Sequence, residues 1–234
     1  MDNTKILQLL EKQRDALFDI LKETTVSGLY KEQYADIKAG RVFVFDIGER
    51  QMLSDLKKFS KDTSHDTTYK NKLSEYLVLD NNAIISHFKK ELENVLEKIR
   101  YSEKHNDIQA LFIEYDYYNQ LTGNVTCYAQ NKYPLIEEPR YISDEVDYNK
   151  QVFFFDNCIN FQPAWVDCGE LADLDYLDID LKLENLFQLH SRVLLHKALD
   201  KLHMDNKISF FKHRPVSFYI NEHDCEVMTL YWLN

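Results

Sequence analysis

The chain has 234 residues, a formal net charge of −11, and 44% hydrophobic residues, 13% of the total being aromatic. That is enough apolar material for a buried core without disulfide or metal staples, and 15 Tyr with 14 Phe exclude the aromatic-poor profile of disordered chains. Such acidity argues against nucleic-acid binding, which needs clustered Lys and Arg, and 5 Gly with 4 Pro exclude collagen-like or low-complexity character.

In chain order, Ile6, Leu9, Leu10, Leu17, Ile20 and Leu21 share one face at helical spacing, which predicts a first helix capped by Asp2 or Asn3. A polar, Tyr-bearing stretch follows residues 24–28. Residues 41–45 (RVFVF) read as a short strand, and residues 50–59 as a short helix with Met52, Leu53 and Leu56 inward. Residues 60–72 are polar throughout and read as a loop or linker. A second helix is expected over residues 81–100, capped by Asp80, with Ile84, Phe88, Leu92, Val95, Leu96 and Ile99 as its apolar stripe.

The period then changes. Residues 111–118 and 125–130 flank Leu121-Thr122-Gly123-Asn124 as a β-hairpin. Residues 152–155 form an apolar run short enough for an interior strand. A third long helix is expected over residues 181–203, with Leu186, Leu189, Val193 and Leu202 inward. Residues 216–220 and 226–232 close the chain as a second hairpin. This order predicts an α+β fold, an antiparallel sheet built from hairpins and packed against three long helices. The expected organisation is a single domain over 1–234, with residues 1–72 as a candidate helical subdomain before an α+β part over 73–234.

The first fifteen residues lack the apolar core of a signal peptide, and no run reaches the roughly 18 apolar residues of a membrane span. The expected location is the cytoplasm, with no membrane partner. Cys127, Cys158, Cys168 and Cys225 are widely spaced without a CxxC, so reduced thiols are expected.

Reaction chemistry finds little support in the sequence. His190, His196 and His203 are six and seven residues apart on one helix, whereas helical metal ligands sit four apart to reach one ion. Residues 173–184 resemble a calcium loop, but Leu177 and Asp178 stand where a ligand and the turn glycine belong. Phosphate-binding glycine loops and GxSxG are absent. The expectation is no metal and no cofactor. His223-Asp224-Cys225 could form a thiolate pair beside acids from residues 167–180, which keeps an enzyme of unlisted motif as an alternative.

Charge is the most informative feature. Residues 141–185 hold eleven acidic side chains against two lysines. Asp144, Glu145, Asp147, Asp167, Glu170, Asp173, Asp175, Asp178 and Asp180, with the aromatics Tyr148, Trp165 and Tyr176, are the candidate partner-binding residues. A single-sign patch steers oppositely charged partners, and aromatic side chains anchor interfaces. The plain alternative is acidity for solubility in a structural or oligomeric domain.

The layout over residues 81–234 is helix, hairpin, acidic middle, helix, and a final hairpin ending in Phe218-Tyr219-Ile220-Asn221-Glu222-His223-Asp224. In this layout and in its acidity the chain resembles the immunity proteins of bacterial toxin systems. That resemblance implies a non-enzymatic protein that neutralises a basic protein toxin through an acidic face. It rests on no family motif and assigns no residue a role.

Overall fold

A computed structural model describes every residue except 1, 43–48, 117–120, 130–133, 143–145, 173, 175, 212–214 and 223–225, together with the side chains of Glu49 and Asp116. The fold is α+β. Its helices are α1 (Asn3–Glu23), α2 (Val26–Lys38), α3 (Glu49–Phe59), α4 (Ser64–Leu77), α5 (Asn81–Arg100), α6 (Gly169–Ala172) and α7 (Ile179–Met204). Its strands are β1 (Ala110–Asp116), β2 (Thr122–Tyr128), β3 (Gln151–Asn160), β4 (Val216–Glu222) and β5 (Met228–Leu233), in the sheet order β3-β2-β1-β4-β5.

The expected antiparallel pairs are present. Ile113 lies opposite Val125 in β1 and β2, and Phe218 opposite Tyr231 in β4 and β5. The sheet is nevertheless mixed, because β1 and β4 run parallel, with Phe112 beside Tyr219 and Glu114 beside Asn221. Hairpins announce themselves through a local turn, whereas a parallel pair is joined by a long crossover that leaves no local signal. The run at residues 152–155 belongs to β3, which is an edge strand and not an interior one; its Phe154 is 53% exposed.

Two compact units divide the chain. One comprises residues 1–13, 80–164 and 189–234 and contains the whole sheet. Along one sheet face Leu111, Ile113, Val125, Cys127, Phe218, Ile220 and Tyr231 are buried. This face meets helices: Tyr115 and Phe88 both pack on Phe161, Tyr231 packs on His196, and Arg192 donates to the Tyr115 hydroxyl at 3.3 Å. The Asp80 carboxylate caps α5, accepting from the amides of Asn82 and Ala83 as expected. Asp2, not Asn3, caps α1 through the Lys5 amide; the Asn3 side chain instead exchanges two hydrogen bonds with the Trp232 backbone.

The second sheet face carries a smaller core of Ala110, Phe112, Tyr128 and Tyr219, closed over by Ile136, Ile142, Val146 and Val227. Residues 134–142 are held on it by backbone. Arg140 and Val227 exchange amide bonds, Thr229 donates its amide to the Ile136 carbonyl, and the Thr229 hydroxyl accepts from the Ile136 amide at 2.8 Å.

The other unit, residues 14–79 and 165–188, is helical. Here the sequence reading needs correction. Residues 64–72 of the supposed linker are the first turns of α4, because Tyr69, Leu73 and Tyr76 recur at helical spacing and are all buried. The Tyr69 hydroxyl donates to the Leu21 carbonyl at 2.8 Å. Asp66 accepts from both the amide and the hydroxyl of Ser27, satisfying a donor at the start of α2 that would otherwise be orphaned. The polar stretch expected after residue 28 is therefore α2, with Val26, Tyr30 and Ile37 buried. Of the strand expected at residues 41–45, Arg41 and Val42 are bends, and the remaining three lie outside the described residues.

Candidate functional site

The acidic residues singled out by sequence fall in both units. Asp147 and Tyr148 belong to the sheet-bearing unit, and residues from Trp165 onward to the helical one. Asp144, Glu145, Asp173 and Asp175 lie outside the described residues. Asp147, Asp167, Glu170 and Asp178 are exposed, while Asp180 is half-buried in the first turn of α7. Two of them make local turns: Asp147 accepts from the Asn149 amide at 3.0 Å and Asp167 from the Gly169 amide at 2.9 Å. The aromatics among them differ in use. Trp165 packs edge-on against Phe187 at 5.5 Å, and Tyr176 packs on the same helical core, its hydroxyl 3.4 Å from an Asp55 carboxylate oxygen. Tyr148 is 61% exposed.

Three thiols and the three imidazoles of α7 have structural settings. Burial pushes the Cys127 thiol far up, the Cys158 thiol to about 11 and the Cys168 thiol to about 12, so none of the three supplies a thiolate nucleophile near neutral pH. His190 meets the Asn81 amide oxygen at 2.9 Å, and His196 Nδ1 donates to the Leu230 carbonyl at 2.7 Å. The Tyr231 hydroxyl donates to Asp200 at 3.1 Å and so accepts from His203 Nδ1 at 2.9 Å. Among the described residues no three His, Cys, Asp or Glu side chains gather as metal ligands. His223 and Cys225 lie outside the described residues.

The second sheet face holds a concavity that the sequence reading missed. Phe112, Glu114, Thr126, Tyr128, Tyr141, Ile142, Val146, Tyr148, Asn221 and Val227 enclose a cavity of about 190 Å³. Strand alternation and register put five of these on one face: Phe112 lies opposite Thr126, Tyr128 follows two residues along the same strand, and Glu114 lies beside Asn221 across the parallel pair. Tyr128 stands edge-on to Phe112 at 5.3 Å and to Tyr148 at 6.2 Å. Burial, helped by Tyr148 and Glu114 nearby, pushes the Tyr128 phenol to about 12, so it remains a neutral hydroxyl at physiological pH.

Glu114 is the one charged side chain lining the cavity among the described residues. Asn221 is 6% exposed and directs its amide nitrogen to the Glu222 carbonyl at 3.0 Å and toward Glu114 Oε2 at 3.4 Å. Both neighbours are acceptors, which fixes the orientation of the amide. Its Oδ1 is then left buried without a hydrogen-bond partner. One sequence signal for this site existed: Glu114 is a lone acid amid Leu111-Phe112-Ile113 and Tyr115, in phase with Phe112. Asn221 carried none, because its place beside Glu114 comes from the parallel pairing.

No protein-family model, curated protein or solved structure matches this chain.

Proposed function

We propose that this chain is a non-enzymatic binding protein that engages a basic protein partner, in the manner of a cytoplasmic immunity protein holding a toxin. The observation that carries the reading is the charge balance of its surfaces. The chain bears a net −11, and Asp147, Asp167, Glu170 and Asp178 stand exposed in the segment richest in acids. The raised thiols of Cys127, Cys158 and Cys168 favour binding over nucleophilic catalysis. A field of this sign accelerates encounter with a basic surface and disfavours acidic competitors.

The test begins with a tagged chain in its native host and ends with purified components. A stoichiometric basic protein should be captured, and its association rate should fall steeply as salt shortens the Debye length from about 10 Å at 0.1 M to about 3 Å at 1 M. Replacing Asp167, Glu170 and Asp178 together by Lys should slow association at low salt while leaving the thermal midpoint near that of the parent. Capture of no basic protein, or an association rate indifferent to salt and to the triple reversal, would refute the proposal.

A further inference from the structure

We infer that the β3 edge of the sheet is a self-association surface, where two copies of this chain pair antiparallel about a two-fold axis at Phe153. The inference does not draw on the binding reading above.

The two edges of the sheet are finished differently. Along β5 the Thr229 amide donates to the Ile136 carbonyl, Val227 and Arg140 exchange amide bonds, and the Asn3 side chain bonds to both the amide and the carbonyl of Trp232. On β3 only the far end is tied in this way. The Asn160 amide donates to Glu91 Oε2 at 2.8 Å, and its carbonyl accepts from His87 Nε2 at 3.0 Å. Among the described residues, no backbone group outside β2 and β3 itself bonds to residues 152–156.

The direction of the backbone groups follows from the ladder. The Ala129 amide donates to the Lys150 carbonyl at 2.9 Å, so Ala129 turns toward β3, and by alternation so do Cys127 and Val125. Their partners Phe153 and Phe155 turn inward to meet them. Phe154, between the two, therefore turns its N–H and C=O away from the sheet, and its side chain is 53% exposed. An open edge with an uncovered ring is a template for another strand.

Charge chooses the occupant and the register. The extended run begins after the turn at Tyr148–Lys150 and ends before Asn157, whose φ of 46° is left-handed. In Lys150-Gln151-Val152-Phe153-Phe154-Phe155-Asp156 the two charges stand three residues on either side of Phe153. Both charged side chains are exposed. An antiparallel copy centred on Phe153 sets Lys150 opposite Asp156 of the second copy, twice over because a two-fold contact repeats itself, and sets Phe154 opposite Val152. Any shift of register loses both charge pairs. Because β5 is covered, pairing at β3 joins two sheets and stops there instead of growing a fibre. The contact is small beside the roughly 20–30 residues a side of a stable interface, so a Kd of about 10–100 µM is expected.

The experiment is sedimentation velocity on the full chain from about 1 to 300 µM, a range that brackets that Kd, at about 0.15 M salt, where the Debye length is about 8 Å and repulsion between the acidic copies is screened. Wild type should pass from monomer to dimer across the range. Asp156→Lys and Lys150→Asp should each dimerise about tenfold more weakly, because each sets like charges opposite one another at both ends of the pairing. The first reduces the net negative charge and the second increases it, so overall repulsion does not account for a loss in both. An equimolar mixture of the two variants should recover the dimer, since unlike charges then meet across the strands, and recovery shows that both variants fold. Phe154→Lys should also stay monomeric. A monomeric wild type throughout the range, a dimer indifferent to the single reversals, or a mixture no more associated than its components overturns the inference. Growth beyond a dimer overturns the two-fold pairing, and a monomeric wild type whose β3 amides gain exchange protection only on binding a different protein assigns the edge to that protein's strand instead.

Discussion

The two faces of the sheet differ in what covers them. On the helix-covered face, Leu111, Ile113, Val125, Phe218, Ile220 and Tyr231 are buried; there His196 has the Leu230 carbonyl and the Tyr231 hydroxyl has Asp200 and His203, while Arg192, which donates to the Tyr115 hydroxyl, keeps its Nε buried without a partner. On the opposite face the small core of Phe112, Tyr128, Tyr219 and Ile136 gives way to a cavity where a carboxylate and an unsatisfied amide oxygen sit among rings. Each face carries an unmet buried polar group, Arg192 Nε on one and Asn221 Oδ1 on the other, and the cavity lies on the second.

The largest contrast should come from truncating the helix-covered face. Phe218→Ala removes a ring that is 1% exposed and packs against Tyr231 and Phe211, and it should cost about 3–5 kcal/mol in denaturant unfolding. The cavity-side acid should behave differently, with Glu114→Gln moving the unfolding midpoint far less than Phe218→Ala does. On the second face, stability hangs on the backbone clasp over the small core. Thr229→Val keeps the shape but strips the acceptor from the buried Ile136 amide, for an expected loss of about 1–3 kcal/mol.

A smaller effect should depend on pH. Burial lowers the pKa of His196 from its ordinary 6.5, against a partial opposing pull from the Leu230 carbonyl and Asp200. In the unfolded chain the ring takes up a proton as pH falls through about 6.5, whereas the folded chain resists until lower pH. The contribution of neutral His196 is therefore fully present above about 6.5 and is lost as pH falls below it, at no more than about 1.4 kcal/mol per pH unit. Unfolding midpoints measured from pH 7.5 to 5.0 should decline more steeply for the parent than for His196→Gln; parallel declines would show that His196 does not carry the slope.

How much of this was legible in the sequence follows the range of each interaction. α5 and its Asp80 cap, α7, and both antiparallel strand pairs rest on neighbours within a few residues, and periodicity found them. α4 was missed because its apolar stripe is two tyrosines and one leucine, whose hydroxyls disguise a buried face; Tyr69 is fully buried only because its hydroxyl reaches the Leu21 carbonyl. The cavity was missed for a topological reason. Glu114 and Asn221 are brought side by side by a parallel pairing between strands on either side of α7, and nothing local to either strand encodes it. Of the aromatics chosen from the acidic segment, Tyr148 lines the cavity, while Trp165 and Tyr176 pack on the core of the helical unit.

The difference between the two faces can be read directly from methyl groups. In a sample with labelled Ile and Val methyls, Phe218→Ala should shift the signals of Ile113, Val125 and Ile220 beneath the helices and leave those of Ile142, Val146 and Val227 on the second face in place. Shifts confined to the second-face methyls, or spread evenly over both sets, would contradict two separately packed faces.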